Sequence, residues 1–201
     1  MTRTFTNAYT AFDGHQRIAS GPLQTVALVV KQALEDGAVG PVLVFDDDKG
    51  RSIDIDTRGT EDEVLARLAL TTGYPRKADE VDANEPRGRG RPKLGVVARE
   101  VTLLPRHWEW LASQPGGASV AIRKLVEDAK RINSEKDKQR KTQERAYHFM
   151  TAMAGDLPDF EEATRALFAN EPKRLREVVA EWPEDVREHA IALAYGNGPE
   201  Y

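Results

Sequence analysis

Between residues 71 and 95 the chain offers almost nothing that a hydrophobic core could use, and this divides everything else in it. The stretch is glycine, proline and charge, and it contains Pro86-Arg87-Gly88-Arg89-Gly90-Arg91-Pro92-Lys93. Four cations alternate with glycines there, so no apolar side chain can be buried and each glycine carries a large ordering entropy. A chain of 201 residues has room for one or two compact domains. A linker at this place separates a first module, residues 1–70, from whatever forms after residue 96.

Charge follows the same division. The net charge of −4 hides a segregation: residues 1–83 carry 9 Lys/Arg against 14 Asp/Glu, residues 84–145 carry 15 against 8, and residues 146–201 carry 5 against 11. A basic middle between acidic flanks points to a polyanion partner, or to complementarity between the middle and its own neighbours. Arg89-Gly90-Arg91-Pro92, followed by Lys93, resembles an AT-hook. That resemblance implies a thin backbone lying in the narrow minor groove of A/T-rich DNA. Arg89, Gly90, Arg91 and Pro92 would sit in the groove, and Arg87 and Lys93 on the phosphates. The alternative is a plain basic linker.

The first module reads β-β-α-β-β-α. Asp13-Gly14 marks a hairpin, and Leu23, Val26, Val30 and Leu34 repeat at helical spacing. Pro41-Val42-Leu43-Val44-Phe45 has the look of a buried strand, Ser52 to Asp56 alternates, and Thr60 with Glu63 forms a capping box. These elements are expected to close a core and to fold without the rest of the chain. Towards the other end, residues 133–145 read as a solvated helix. A short helical bundle follows to residue 195, with Ala146, Phe149, Met150 and Met153 on one face, and residues 196–201 are a tail. The fold class is α+β: a small ββαββα domain (1–70), a basic linker (71–95), a strand-helix-helix unit (96–132) and a C-terminal helical segment (133–195).

The strand-helix-helix unit cannot close a core alone. Val97 to Leu104 is β-rich and stops at Pro105, a favoured first helical residue. Trp108 and Leu111 form the apolar side of a short helix, with Trp108 as the expected core anchor. Gly116-Gly117 breaks it, Ser119 can cap the next helix, and Ile122, Leu125, Val126 and Ala129 continue it. One strand and two helices need a partner strand, from the N-terminal domain or from a second chain. Through Val101-Thr102-Leu103-Leu104-Pro105, the Trp108/Leu111 helix, the Gly116-Gly117-Ala118-Ser119 turn and Ile122 to Leu125, this unit resembles the ribbon-helix-helix DNA-binding proteins. The resemblance implies a homodimer with paired strands in the major groove, Arg99 and Thr102 near bases, and Arg106 and Ser119 near phosphates. Its strand departs from that pattern, since neither Glu100/Thr102/Leu104 nor Arg99/Val101/Leu103 makes a clean base-reading face.

Over nearly its full length the chain resembles a bacterial family known only as domain of unknown function 2239. The residues that carry this are Val42 to Asp46, Asp54 to Gly59, Gly90 to Val96, Thr102 to Leu111, Ala146 to Met150 and Trp182 to Arg187. That resemblance implies no activity.

Other sites weigh less. Asp46, Asp47 and Asp48 read as an exposed hairpin turn, and Asp54 and Asp56 show no ligand spacing for a cation. His15, His107, His148 and His189 are scattered, and with no cysteine the chain has no thiol nucleophile or disulfide. No cofactor, metal site or enzymatic activity is expected. No apolar run is long enough to cross a membrane and the first seven residues are polar, so a cytoplasmic protein is expected. The function that follows is DNA binding by a homodimer, A/T-rich duplex being favoured. The alternative is a non-catalytic interaction protein whose basic segment only links modules.

Overall fold

The computed structural model describes residues 8–71 and 99–196. They fall into two compact units, one taking in residues 8–71 and 138–196, the other residues 99–137. The hook-like segment lies outside the described residues.

In the first unit, β1 (Tyr9–Asp13) and β2 (Gln16–Gly21) form a hairpin that turns at Gly14, whose φ of 55° suits glycine. Helix α1 (Leu23–Glu35), strands β3 (Val42–Asp46) and β4 (Arg51–Ile53), and helix α2 (Glu61–Thr71) follow. The four strands make one antiparallel sheet in the order β2-β1-β3-β4. The expected ββαββα order is therefore the observed one. Strand β4 ends earlier than its alternation suggests, with Asp54 and Asp56 outside it. The Asp56 carboxylate accepts hydrogen bonds of 2.9 Å from Nε and Nη2 of Arg58, which hold it well below the usual carboxylate range. That clamp folds the connection before α2. There the amide of Thr60 donates to Glu63 Oε2 (2.8 Å) and the amide of Glu63 to Thr60 Oγ1 (3.3 Å), completing the capping box.

The pleat of the two central strands distributes the core. Ala11 and Val44 meet Val26 and Val30 of α1 on one face of the sheet, while Leu23 and Ala27 pack with Val64 and Leu68 of α2. Phe12, Leu43 and Phe45 point the other way. They are covered by the end of α4 (Gly117–Ala154), by α5 (Phe160–Phe168), α6 (Pro172–Val178) and α7 (Glu184–Tyr195), and by a single 3₁₀ turn at Val179–Glu181. The rings of Phe12, Phe45 and Phe149 meet edge-on or tilted at 4.9–6.0 Å.

This corrects one expectation. The first seventy residues do not close their own core, because half of the sheet's apolar surface belongs to helices from the other end of the chain. The ranges read from sequence also divide the chain differently at residue 132. Helix α4 is one continuous element of 38 residues, about 57 Å by the helical rise, and runs straight through that boundary.

Polar ties fix the helices over the sheet. Gln143 of α4 is buried and donates from Nε2 to the Leu167 carbonyl at the end of α5 (2.9 Å). Two residues on, Arg145 Nε donates to the Leu193 carbonyl of α7 (2.7 Å). Burial lowers the pKa of that guanidinium, against the opposing charges of Asp48 and Asp47. Carbonyls that the helix ends leave open are satisfied in this way. Asp159 precedes α5 in the left-handed region, φ 58°, with no side-chain cap bond, so it does not cap that helix as expected. Trp182 is buried, and its Nε1 donates to the Pro158 carbonyl (2.8 Å).

The acidic run after β3 is not the exposed turn its composition suggests. Asp46 and Asp47 are buried. Asp47 Oδ2 accepts from Thr10 Oγ1 (2.9 Å), and Thr10 Oγ1 lies 3.1 Å from Ser20 Oγ. Asp47 Oδ1 lies 3.2 Å from His189 Nε2 of α7, and neither of these two atoms has a further hydrogen-bond partner among the described residues. The His189 ring stands between Phe149 (4.7 Å) and Phe12 (5.6 Å). A polar pair thus sits inside the apolar layer that joins sheet to helices. A deeply buried Asp is invisible in a run of three aspartates, since its partner lies at the far end of the chain.

Three outcomes follow. A fragment ending at residue 74 should lack a dispersed amide spectrum, since Phe12, Leu43 and Phe45 lose their cover; a well-dispersed monomeric spectrum would contradict the shared core. Replacing Asp47 by Ala should cost about 3–5 kcal/mol, read as a lower urea midpoint, because Thr10 and His189 are left buried without it. The cost should shrink markedly when His189→Ala is already present, and two additive losses would show that the pair is not coupled. At Gly50, φ 65°, an added Cβ would fall on the Arg145 carbonyl, whereas at Gly37, φ 82°, it would meet nothing. Gly50→Ala should therefore cost about 2–5 kcal/mol and Gly37→Ala only about 1–2, and equal losses would show the close approach to be unimportant.

Candidate functional site

The second unit begins with residues 99–104, which run without helix or strand pairing into Pro105. The residue before the helix, Leu104, has extended geometry, φ −66° and ψ 149°, as a residue preceding proline must. Helix α3 (Pro105–Ala112) starts at that proline, and its first turn closes through His107 N to Leu104 O (2.8 Å). Gly116 and Gly117, φ 86° and 74°, make the reversal that side chains rarely tolerate, and α4 starts at Gly117.

These three pieces surround an apolar groove of about 450 Å³, lined among others by Val101, Leu103, Trp110, Leu111, Ile122 and Val126. Leu111 is 3% exposed and anchors the unit, whereas Trp108, the expected anchor, is 42% exposed. Trp110 and His107 reach the groove instead. Helical spacing points to Trp108 and Leu111 as one apolar face. In the structure the groove takes the neighbouring face, because the extended segment, not another helix, forms its opposite wall.

The surface around the groove is unusually apolar. Of the 12 large hydrophobic residues that are exposed among the described ones, eight belong to this unit: Val101, Leu104, Trp108, Trp110, Val120, Leu125, Val126 and Ile132. A two-helix unit with so much apolar surface in water is the signature of an interaction site.

The residues singled out from sequence are distributed as follows. Arg87, Arg89, Gly90, Arg91, Pro92 and Lys93 lie outside the described residues. Arg106 is exposed in the first turn of α3. Ser119 is exposed, but as the third residue of α4 and not its cap, because the helix already begins at Gly117; its carbonyl accepts from Arg123 Nε (3.1 Å). Arg99 and Thr102 are both exposed. Since Val101 and Leu103 both line the groove, alternation puts Thr102 on the opposite side of the segment and Arg99 on the groove side. Among the described residues no three His, Asp or Glu side chains gather as metal ligands would, and no helix is long and apolar enough to cross a membrane. Asp46 is engaged by Lys49 Nζ (2.7 Å) and the Asp48 amide (3.0 Å), and Asp56 by Arg58 and Arg67, so neither presents free oxygens to a cation.

No curated protein and no solved structure matches the chain. One family does, described as "Uncharacterized protein conserved in bacteria (DUF2239)", and it matches residues 8–194. That span takes in the sheet, the groove unit and the C-terminal helices together, and the chain belongs to this bacterial family.

Proposed function

We propose that the chain is a DNA-binding protein that acts as a homodimer. Arg89-Gly90-Arg91-Pro92 enters the minor groove of A/T-rich duplex, and Arg87 and Lys93 lie on flanking phosphates. The observation that carries this reading is the Arg-Gly-Arg-Pro sequence at the basic centre of an acidic chain. A narrow A/T groove concentrates negative potential and accepts arginine on a backbone without bulk, while the guanine amino group obstructs the same path.

The apolar unit directly after the hook supports the dimer half of the proposal. One hook makes few contacts and binds weakly. Two hooks on one dimer turn the second contact into an intramolecular event and raise the avidity without any new contact type. Arg106 and Ser119, both exposed at helix starts, would add phosphate contacts, and Thr102 is the uncharged polar side chain that the segment turns away from its groove. On this reading the protein catalyses nothing and works in the bacterial cytoplasm, where the DNA is.

The groove favours a second reading, a non-catalytic interaction protein in which residues 86–93 only connect modules. Fluorescence anisotropy with A/T-rich and G/C-rich duplexes at two salt concentrations separates the two. The wild type should prefer A/T-rich duplex, and Arg89→Ala with Arg91→Ala should abolish that preference. Lys93→Ala should weaken binding to both duplexes alike and lower the salt slope by about one unit. Absence of binding at low salt, or a double variant that keeps its preference, leaves the interaction protein as the reading.

A further inference from the structure

We infer that the apolar groove of residues 99–137 is closed by the same groove of a second copy, with the two 99–104 segments paired antiparallel about Thr102, so that residue i faces residue 204 − i of the partner. This rests on the dimer half of the proposed function and is independent of the DNA half.

The occupant follows from what borders the groove. One wall is an extended backbone with no strand partner among the described residues. Such an edge demands hydrogen bonds from another extended chain, which a small apolar ligand or a partner helix cannot supply. The floor is apolar, so the segment that pairs must also bring apolar side chains at every second position. Val101 and Leu103 of a second copy meet both demands, and most of the chain's exposed large apolar residues surround the same groove. A two-fold contact brings those two surfaces together as one self-complementary interface.

The register follows from parity and from Pro105. Directly opposed residues in an antiparallel pair point to the same face, so the two numbers must sum to an even value if Val101 and Leu103 of both chains are to face the floor. A pairing centred on Leu103 would set Pro105 against Val101, costing a ladder hydrogen bond within the pair. One centred on Val101 would bring Arg99 against Leu103 over the apolar floor, a desolvation penalty for the guanidinium. Centring on Thr102 sets Val101 against Leu103 twice, Thr102 against itself, and Glu100 against Leu104. The outer face of the ribbon then shows Glu100, Thr102 and Leu104 from each chain. Its two carboxylates would repel phosphates, so the ribbon joins the copies and leaves DNA to other residues.

The chain has no cysteine, which makes the register directly measurable. Full-length Thr102→Cys, oxidised under mild conditions, should run as a disulfide-linked dimer on a non-reducing gel, because opposed residues lie about 4.5–5.5 Å apart, within disulfide reach. Glu100→Cys alone should not cross-link, since its own copies would be offset by four residues, about 14 Å. Glu100→Cys mixed with Leu104→Cys should cross-link. Val126→Glu, on the exposed rim of the floor, should shift the sedimentation of the native chain from dimer to monomer with an unchanged circular-dichroism spectrum. A wild type that sediments as a dimer, with Thr102→Cys failing to cross-link while Val101→Cys or Leu103→Cys succeeds, overturns the register but keeps the dimer. A wild type that stays monomeric at micromolar concentration overturns both, and means that a different partner fills the groove. Neither result touches the anisotropy titration, which judges the DNA reading on its own.

Discussion

Burial of β1 and β3 on both faces is the constraint on which the rest depends. A strand that is apolar on one side can lie over a single layer of helices with its other side in water. Here Ala11 and Val44 claim α1, while Phe12 and Phe45 claim the C-terminal helices. No local stretch of chain can satisfy both claims, because α1 and α2 are already spent on the first face. The second face must wait for residues far along the sequence. That requirement makes the two ends of the chain one unit and leaves residues 99–137 to make their own arrangements.

Within this layer the Asp47–His189 pair is out of place by hydrophobic reasoning alone. Apolar residues of similar volume would often be as stable there or more so. What an apolar pair could not do is choose a position along the helix. The 3.2 Å contact fixes which turn of α7 lies against the end of β3, and the rings of Phe12 and Phe149 close over that one arrangement. Arg145 and Gln143 add to this by grasping helix-end carbonyls from α4. Direction comes from the polar atoms and most of the adhesion from the apolar ones.

How much of this could be read from residues alone varies with how local the cause is. The hairpin at Gly14, the Thr60/Glu63 box and the ββαββα order depend on neighbours in sequence, and they are as expected. The run Val42 to Phe45 announces a strand buried on both faces, but nothing nearby names the second cover, so a self-sufficient N-terminal domain looked sound. Asp47 misleads for the same reason, since aspartates before Lys49-Gly50 read as a solvated turn until His189 is known to sit beside them. In the second unit, helical spacing favours Trp108 as the buried tryptophan. The floor of the groove is decided instead by the extended segment, whose geometry Pro105 sets. The need of that segment for another strand was legible from composition. That the sheet of the first unit does not provide it required the structure.

The shared core also bears on how a ribosome must deliver this chain. Strands β1 to β4 are all synthesised before residue 54, yet the side chains that cover Phe12 and Phe45 start at Ala146 and end at Ala194. At about 5–20 residues per second, some 5–30 s separate the completed sheet from its last helix. During that interval the nascent protein holds a half-dressed sheet, with one aromatic face open to water and to its neighbours. The second unit emerges within the same window, itself exposing apolar surface. The order of synthesis therefore runs against the order of burial, and the acidic character of the first 83 residues keeps such chains apart until the C-terminal helices arrive.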